Sequence, residues 1–191
     1  GLGTLLMQTQ KFSDAEPLLS MALALEPEAA DIAYNYAICL RAKGDNSSAA
    51  ELAARAGRSG GMDEPFSANV CNLLLVLNKP QLVLEQLDRF PRRSQASHLL
   101  RAQAFGLLGA WDRSVALLRQ LWQADSTNAE VAQALALAAG RLRDYDLAIK
   151  TYGHYLRLIT PGAAEFVKFA DLFLLARKVD QCESYVQYAR E

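Results

Sequence analysis

The sequence predicts an all-α protein, a right-handed α-solenoid of about six helix–turn–helix repeats. Three observations lead to this fold class: apolar residues at helical spacing, frequent turn residues between the apolar segments, and a repeat of about 34 residues. The sequence has no useful run of alternating apolar and polar residues, the pattern of a half-buried strand. We therefore expect eleven or twelve antiparallel helices and no substantial β-sheet.

Helical spacing is clearest in the segment DRSVALLRQLWQ, where Val115, Leu118, Leu121 and Trp122 fall on one helix face. Turn signals separate segments of this kind. They are Lys43-Gly44-Asp45, the glycine-rich GRSGGMDEP from Gly57, Asn78-Lys79-Pro80 and Thr160-Pro161-Gly162. Helices of about a dozen residues fit between these breaks.

Two series of mostly small residues define the repeat. The first-helix series reads Gly3, Ala37, Cys71, Ala102, Ala136 and Ala170, and the second-helix series reads Ala15, Ala49, Val83, Ser114, Ala148 and Cys182. Both series have spacings of 34, 34, 31, 34 and 34 residues. Small residues allow two helices to cross closely, where a bulky side chain would cost about 1–3 kcal/mol.

Large apolar residues beside these positions are expected to fill the core between the helices. They are Leu6, Leu40, Leu74, Phe105 and Phe173 on the first helices, and Leu19, Leu87, Leu118, Tyr152 and Val186 on the second helices.

The period divides residues 1–191 into a single array, with repeats at about 1–29, 30–63, 64–94, 95–128, 129–162 and 163–191. The first helix of the first repeat is short, and the third repeat lacks three residues, so we expect irregular stacking around repeats two and three. The sequence begins without methionine and carries no polar capping helix at either end. We therefore expect a fragment of a longer chain, with self-association through its uncapped ends as a further expectation.

Composition narrows the classes of partner. The net charge is −1, with 20 Lys and Arg against 21 Asp and Glu, so no basic excess indicates nucleic acid. The longest apolar runs, LLLVL from Leu73 and LFLLA from Leu172, are too short to span a bilayer. The three cysteines form no C-x-x-C motif, which favours a reducing compartment such as the cytoplasm.

No residue pattern supports catalysis, a metal or a cofactor. His98 and His154 are the only histidines and lie in different repeats. Cys71 and Cys182 occupy the small-residue positions, so we expect buried structural thiols there. Acidic pairs occur in turns or at helix starts: Asp14/Glu16, Asp63/Glu64 and Asp144/Asp146. Because carboxylates stabilise helix N-termini, we expect capping rather than acid–base chemistry and predict a non-enzymatic protein.

The array resembles the tetratricopeptide repeat family, whose 34-residue unit carries L-G in its first helix, A-x3-F in its second and a final proline. The segment LGTLL from Leu2 carries the L-G. AEPLL from Ala15 and AIKTY from Ala148 carry the A-x3-F pattern as Leu19 and Tyr152, and Pro27 closes the first repeat. The resemblance covers essentially all 191 residues, although the family's first-helix tryptophan is absent from every repeat.

The resemblance implies that the first helices line a concave groove that binds a protein or peptide partner. The family's contact positions correspond here to Tyr34, Ile38, Arg41, Asn72, Leu75, Leu99, Gln103, Leu107, Gln133, Leu137, Arg141, Val167 and Asp171. We expect these to be surface residues rather than core residues. Chaperone-binding members clamp a carboxylate with lysine and asparagine, but Ala68 stands where a lysine should accompany Asn72. An apolar or amphipathic segment is therefore expected, oriented by Arg41 and Arg141.

The leading hypothesis is a non-enzymatic protein–protein interaction scaffold, part of a larger bacterial protein. Two alternatives stay open. One is a secretion-type chaperone that holds apolar segments of an exported protein, although six repeats exceed the usual length of such chaperones. The other is a regulatory module of a larger enzyme, which an adjacent catalytic domain would reveal.

Overall fold

The structure is a computed structural model that describes residues 2–59, 63–89, 94–178, 182, 185 and 186. These residues form eleven α-helices: α1 (Leu2–Gln8), α2 (Phe12–Leu25), α3 (Ala30–Ala42), α4 (Asn46–Arg58), α5 (Glu64–Val76), α6 (Pro80–Asp88), α7 (Gln95–Leu107), α8 (Trp111–Ala124), α9 (Ala129–Arg141), α10 (Tyr145–Leu158) and α11 (Ala163–Leu175). No strand occurs within the described ranges, so the all-α prediction is confirmed. The chain divides into two compact units, Gly1–Leu100 and Arg101–Glu191.

The helices alternate between first and second members of a pair. The first helices α3, α5, α7, α9 and α11 each have 13 residues. Three residues separate each first helix from α2, α4, α6, α8 or α10, the second helix that follows it. So short a connection brings the second helix back antiparallel to the first, since it leaves no length for any longer path.

Each three-residue turn contains one residue in the left-handed region of φ. These residues are Gln10, Gly44, Asn78, Gly109 and Arg143, and Arg177 follows α11 in the same way. Their spacing is that of the repeat. The residue after each one donates its N–H to a carbonyl five residues earlier, for example Asp144 N to Ala139 O at 2.9 Å. This is the Schellman bond that ends a helix, and four of the six positions use a residue other than glycine.

Polar side chains cap the starts of several helices. Asp45, Asp63, Asn128 and Asp144 each accept a hydrogen bond from the backbone N–H three residues later, at 3.0–3.2 Å. The Ser48 hydrogen bond lowers the pKa of Asp45. Capping is therefore confirmed for Asp63 and Asp144.

All twelve positions of the two small-residue series are buried. Ala37 and Ala49 have no exposed surface, and Val83 is equally buried despite its larger side chain. Among the expected flanking residues, Leu6 and Phe105 are only half-buried. Val186 is exposed at 37%, so its assignment to the core was wrong; nothing among the described residues packs over it closely enough to exclude solvent.

In the first unit, α4 packs through alanine. Its buried residues are Ala49, Ala50, Ala53, Ala54, Ala56 and Gly57. The side chain of Gln86 on α6 lies against the last of these, and a Cβ added to Gly57 would stand 2.5 Å from Gln86 Oε1. The glycine therefore makes room for a buried amide, whose Nε2 donates to Ala54 O at 3.5 Å.

In the second unit, α10 and α11 pack through aromatic rings. Phe169 stacks on Tyr152 with ring centroids 5.6 Å apart, and it meets Phe173 edge-on at 5.0 Å. Tyr185 packs against Phe169 at 4.6 Å. Gly153 faces the same cluster, since a Cβ there would lie 3.1 Å from the Phe169 ring. Aromatic rings thus fill the space between α10 and α11, whereas the alanines of α4 leave no such space because they let the helices approach closely.

Second helices also reach back to the preceding repeat through one recurring position. Arg55 donates to Pro27 O, and Arg89 donates to Arg58 O at 3.2 Å. In the second unit, His154 Nε2 lies 2.7 Å from Ser126 O and donates to it. Arg55, Arg89 and His154 occupy the same position of their repeats. Arg58 is the last residue of α4, so its carbonyl has no partner within its own helix, whereas Pro27 and Ser126 lie two residues after the ends of α2 and α8.

Candidate binding surface on the first helices

The first helices of the second unit lie side by side. Gln103 on α7 donates its Nε2 to Glu130 Oε1 on α9 at 3.2 Å. On the other side of α9, a Cβ at Gly140 would lie 3.5 Å from Leu172 Cδ2 of α11. Side-chain contacts therefore join α7 to α9 and α9 to α11 along the surface that these first helices present.

Large apolar side chains on this surface face solvent. Leu107 on α7 is 50% exposed and Leu137 on α9 is 58% exposed. Val167 and Leu174 on α11 are 48% and 50% exposed. Exposed apolar side chains that form a patch mark interaction surfaces in soluble proteins.

The first unit places a different set of predicted residues together. Tyr34 on α3 meets Phe66 on α5, with ring centroids 5.3 Å apart. Burial raises the pKa of Tyr34, and the nearby Arg41 charge partly opposes that rise. Ile38 and Leu75 are half-buried beside them, whereas Asn72 is exposed. The tyrosine therefore offers an apolar face with a neutral hydroxyl, next to an exposed cation.

The predicted groove residues differ in their exposure. Arg41, Asn72, Leu107, Leu137, Arg141, Val167 and Asp171 are exposed, and Tyr34, Ile38, Leu75, Gln103 and Gln133 are half-buried. Leu99 is buried at 9% exposure, so the expectation that it is a surface residue was wrong. The same repeat position holds Gln133 and Val167, which solvent reaches. Packing around α7 covers Leu99, and repeat position alone does not fix exposure.

Three residues that complete these contacts were not predicted: Phe66, Glu130 and Tyr155. Tyr155 Oη accepts a hydrogen bond from Gln133 Nε2 at 3.2 Å. Glu130 falls at a position that the family also uses for contacts, so its pairing with Gln103 could have been anticipated. Phe66 and Tyr155 could not be predicted from the repeat position. Each contacts a residue on a neighbouring helix, and the sequence does not show how those helices lie against each other.

The described residues contain no group of His, Cys, Asp and Glu that could hold a metal ion. The three cysteines are buried and unpaired, and burial raises the pKa of Cys71 to about 11, which keeps it a thiol rather than a nucleophilic thiolate. Within the described ranges, no helix is both long and apolar enough to cross a membrane. The described surface offers a binding partner exposed apolar side chains and a few charged ones.

Comparisons with known proteins agree with this architecture. Residues 1–62 match a family model described as tetratricopeptide repeat. No curated protein matches the chain by sequence.

Solved structures extend the likeness along the chain. The crystal structure of YrrB, a tetratricopeptide repeat protein with an unusual peptide-binding site, shares 17% identity over 92% of this chain and 88% of that chain, with a TM-score of 0.64. A tetratricopeptide repeat protein from Parabacteroides merdae shares 15% identity over 99% of this chain and 75% of that one, with a TM-score of 0.72.

PilW, a widely conserved type IV pilus biogenesis factor, shares 15% identity over 96% of this chain and 87% of its own, with a TM-score of 0.75. Identities this low show the fold, an α-solenoid of helix pairs, and the family model accounts for the first third of the chain. Residues 1–62 are thus similar to the tetratricopeptide repeat family, and the repeated Schellman turns and the buried small-residue series carry one period along the described part of the chain.

Proposed function

We propose that the protein is a non-enzymatic interaction scaffold whose first helices bind an apolar or amphipathic segment of a partner protein. The observation that carries the proposal is the row of exposed apolar side chains on α7, α9 and α11, namely Leu107, Leu137 and Val167. An amphipathic helix or extended apolar peptide would bury these side chains. One of the similar solved structures is described as having a peptide-binding site, which supports a peptide as the class of ligand.

Apolar burial would provide most of the binding free energy. Each fully covered leucine contributes about 1.5–3 kcal/mol, whereas exposed charges such as Arg141 contribute less and are screened by salt. We therefore expect Arg141 to select the orientation of the segment more than its affinity. Binding should persist at about 0.5 M salt, since screening barely weakens apolar contacts.

A double substitution, Leu107→Asp with Leu137→Asp, tests the surface. Both side chains are at least half exposed, so folding should be retained while capture of peptides from a displayed random library is lost. Circular dichroism and thermal melting would verify the fold. Peptide capture by wild type should survive about 0.5 M salt.

The matched control is Met21→Asp with Leu25→Asp. These two apolar side chains of α2 are 64% and 79% exposed, but they lie on a second helix. Capture should be unchanged in this control. Equal loss in both variants, or undiminished capture by the Leu107/Leu137 variant, would refute a first-helix binding surface.

A further inference from the structure

The junction between α9, α10 and α11 departs from its own repeat pattern. It carries Gln133, Tyr152, Tyr155 and Glu165. The residues 34 positions earlier are Leu99, Leu118, Leu121 and Val131, and all four are buried and apolar. At this junction the fifth and sixth repeats therefore carry polar groups at positions where the fourth and fifth carry buried apolar residues, although Tyr152 itself fits the A-x3-F pattern. Departures of this kind concentrate at functional sites, because apolar residues would stabilise the fold better.

The four side chains contact or influence one another. Gln133 Nε2 donates to Tyr155 Oη at 3.2 Å, and the Tyr155 and Tyr152 rings meet edge-on with centroids 5.4 Å apart. Tyr152 is 1% exposed, and its Oη has no hydrogen-bond partner among the described residues. Tyr155 and Glu165 both raise the pKa of Tyr152, second to burial. Gln133, Tyr155 and Glu165 are half-buried and therefore within reach of a ligand.

The free hydrogen-bonding capacity of this cluster defines the chemistry that it can recognise. Tyr155 Oη already accepts from Gln133, so its hydroxyl hydrogen is available as a donor. Gln133 Oε1 takes no donor from the described residues and is available as an acceptor. Glu165 Oε2 accepts from Gly162 N at 3.1 Å, and its charge disfavours an anionic ligand at this place. One donor and one acceptor beside a carboxylate suit a neutral amide.

We propose that Gln133 and Tyr155 form a subsite for the carboxamide of an asparagine or glutamine side chain on the partner segment, a proposal that rests on the proposed function. The amide oxygen accepts from the Tyr155 hydroxyl, and the amide nitrogen donates to Gln133 Oε1. Tyr152 acts as a positioning residue, because its buried ring holds the ring of Tyr155. Leu137 lies one helical turn from Gln133, so the subsite borders the exposed apolar row.

Selection from a phage-displayed library of random 12-residue peptides tests this subsite. Wild type is compared with Gln133→Leu/Tyr155→Leu, which installs the residues found 34 positions earlier. We expect the wild-type consensus to combine apolar positions with one Asn or Gln, and the variant consensus to keep only the apolar positions. Asn35→Leu is the matched control, since Asn35 is also a half-buried first-helix amide but is not a predicted groove residue, and it should leave the Asn or Gln preference intact.

A synthetic wild-type-selected peptide then isolates the contact. Replacing its Asn or Gln by Leu should weaken binding to wild type about tenfold, because buried polar groups of the subsite are left unpaired. The Tyr155→Phe variant lacks only the hydroxyl. The same peptide replacement should weaken binding to this variant much less than it weakens binding to wild type.

Three outcomes would overturn the subsite. A wild-type consensus that is apolar throughout, or that prefers Asp or Glu, would leave the proposed function standing and refute the amide subsite alone. If the Gln133→Leu/Tyr155→Leu variant still selected Asn or Gln, residues other than Gln133 and Tyr155 would recognise the amide. Failure of wild type to select any peptide would refute both the subsite and the proposed function.

Discussion

The α3–α4 pair of the first unit and the α10–α11 pair of the second solve the same packing problem in opposite ways. Buried alanines line α4, and Gly57 lets the Gln86 amide approach the helix backbone. Aromatic rings line α10 and α11, where Phe169 contacts three other rings, those of Tyr152, Phe173 and Tyr185. Both regions keep a small residue at the crossing positions, Ala49 in one and Ala148 in the other. The repeat thus fixes where helices cross and leaves open how the remaining space is filled.

The two solutions should respond differently to mutation. An alanine interface has little side-chain volume to lose and is sensitive to added atoms, which push helices apart. A ring cluster has large buried area and is sensitive to deletion, which leaves a cavity. The following changes test that contrast, in order of expected effect.

Phe169→Ala should cause the largest loss of stability. The ring is 4% exposed and packs against three other rings, so its deletion should lower the free energy of unfolding by about 3–5 kcal/mol. Urea denaturation followed by circular dichroism measures the change. Phe169→Leu, which retains part of the volume, should lose clearly less. Equal losses for both variants would show that the cluster relaxes around the deletion.

Ala53→Leu should destabilise the alanine interface by about 1–3 kcal/mol through overpacking. Ala53 has no exposed surface, yet the same repeat position holds Leu19, Leu87 and Leu118 in other repeats. A leucine can therefore be buried at this repeat position in other repeats, and we expect it to clash only in the close interface around α4. Ala116→Leu on the exposed side of α8 is the control and should be nearly neutral. A neutral Ala53→Leu in thermal melts would mean that α4 is not tightly packed.

Exchanging turn residues compares the two regions at one repeat position. Gly44 precedes α4 with φ of 91°, and Arg143 precedes α10 with φ of 64°. Because left-handed φ costs a non-glycine residue roughly 1 kcal/mol, Arg143→Gly should stabilise by about that amount and Gly44→Ala should destabilise similarly. Differential scanning calorimetry would resolve both shifts. Changes of the same sign would argue against backbone strain as their cause.

Tyr152→Phe should have the smallest effect at neutral pH. The lost hydroxyl has no hydrogen-bond partner among the described residues, so stability should stay within about 1 kcal/mol of wild type or rise. Burial first, then Tyr155 and Glu165, raise the pKa of Tyr152 from near 10 to about 12. The native state therefore holds this proton more tightly than the unfolded state.

That difference in pKa predicts a pH profile. The contribution of the neutral Tyr152 phenol to stability is complete below about pH 10 and is lost as the pH rises from about 10 to about 12. Urea midpoints measured from pH 8 to 11.5 should therefore fall less steeply in Tyr152→Phe than in wild type. Cys71, whose pKa burial raises to about 11, contributes in the same direction in both proteins. Parallel profiles would contradict the inferred burial of the hydroxyl.

Local patterns made much of the fold predictable. The small-residue series placed Ala37, Ala49 and their equivalents in the core, and all are buried. The acidic residues before α5 and α10, Asp63 and Asp144, cap those helices as expected. These features depend on hydrogen bonds and residue spacing within about one repeat, and a periodic sequence pattern carries information over that distance.

The candidate site was less predictable, because exposure and pairing depend on neighbouring helices. Leu99, Gln133 and Val167 share one repeat position, yet they are buried, half-buried and exposed respectively. Family resemblance supplied the position but not its surroundings. The contact of Gln133 with Tyr155, 22 residues along the chain, likewise depends on how α10 lies against α9.

The sequence by itself therefore determined the helices, the caps at Asp63 and Asp144, and the register of the repeat, since each rests on local hydrogen bonds or on the size of single residues. Only the tertiary structure decided that α4 closes through alanine while α10 and α11 close through rings, that Arg55 and His154 cap the preceding repeat, and that Tyr152 keeps a buried hydroxyl without a partner among the described residues. The physical reason is that packing free energy depends on the shapes of several helices at once, whereas helix formation and termination depend on neighbours along the chain.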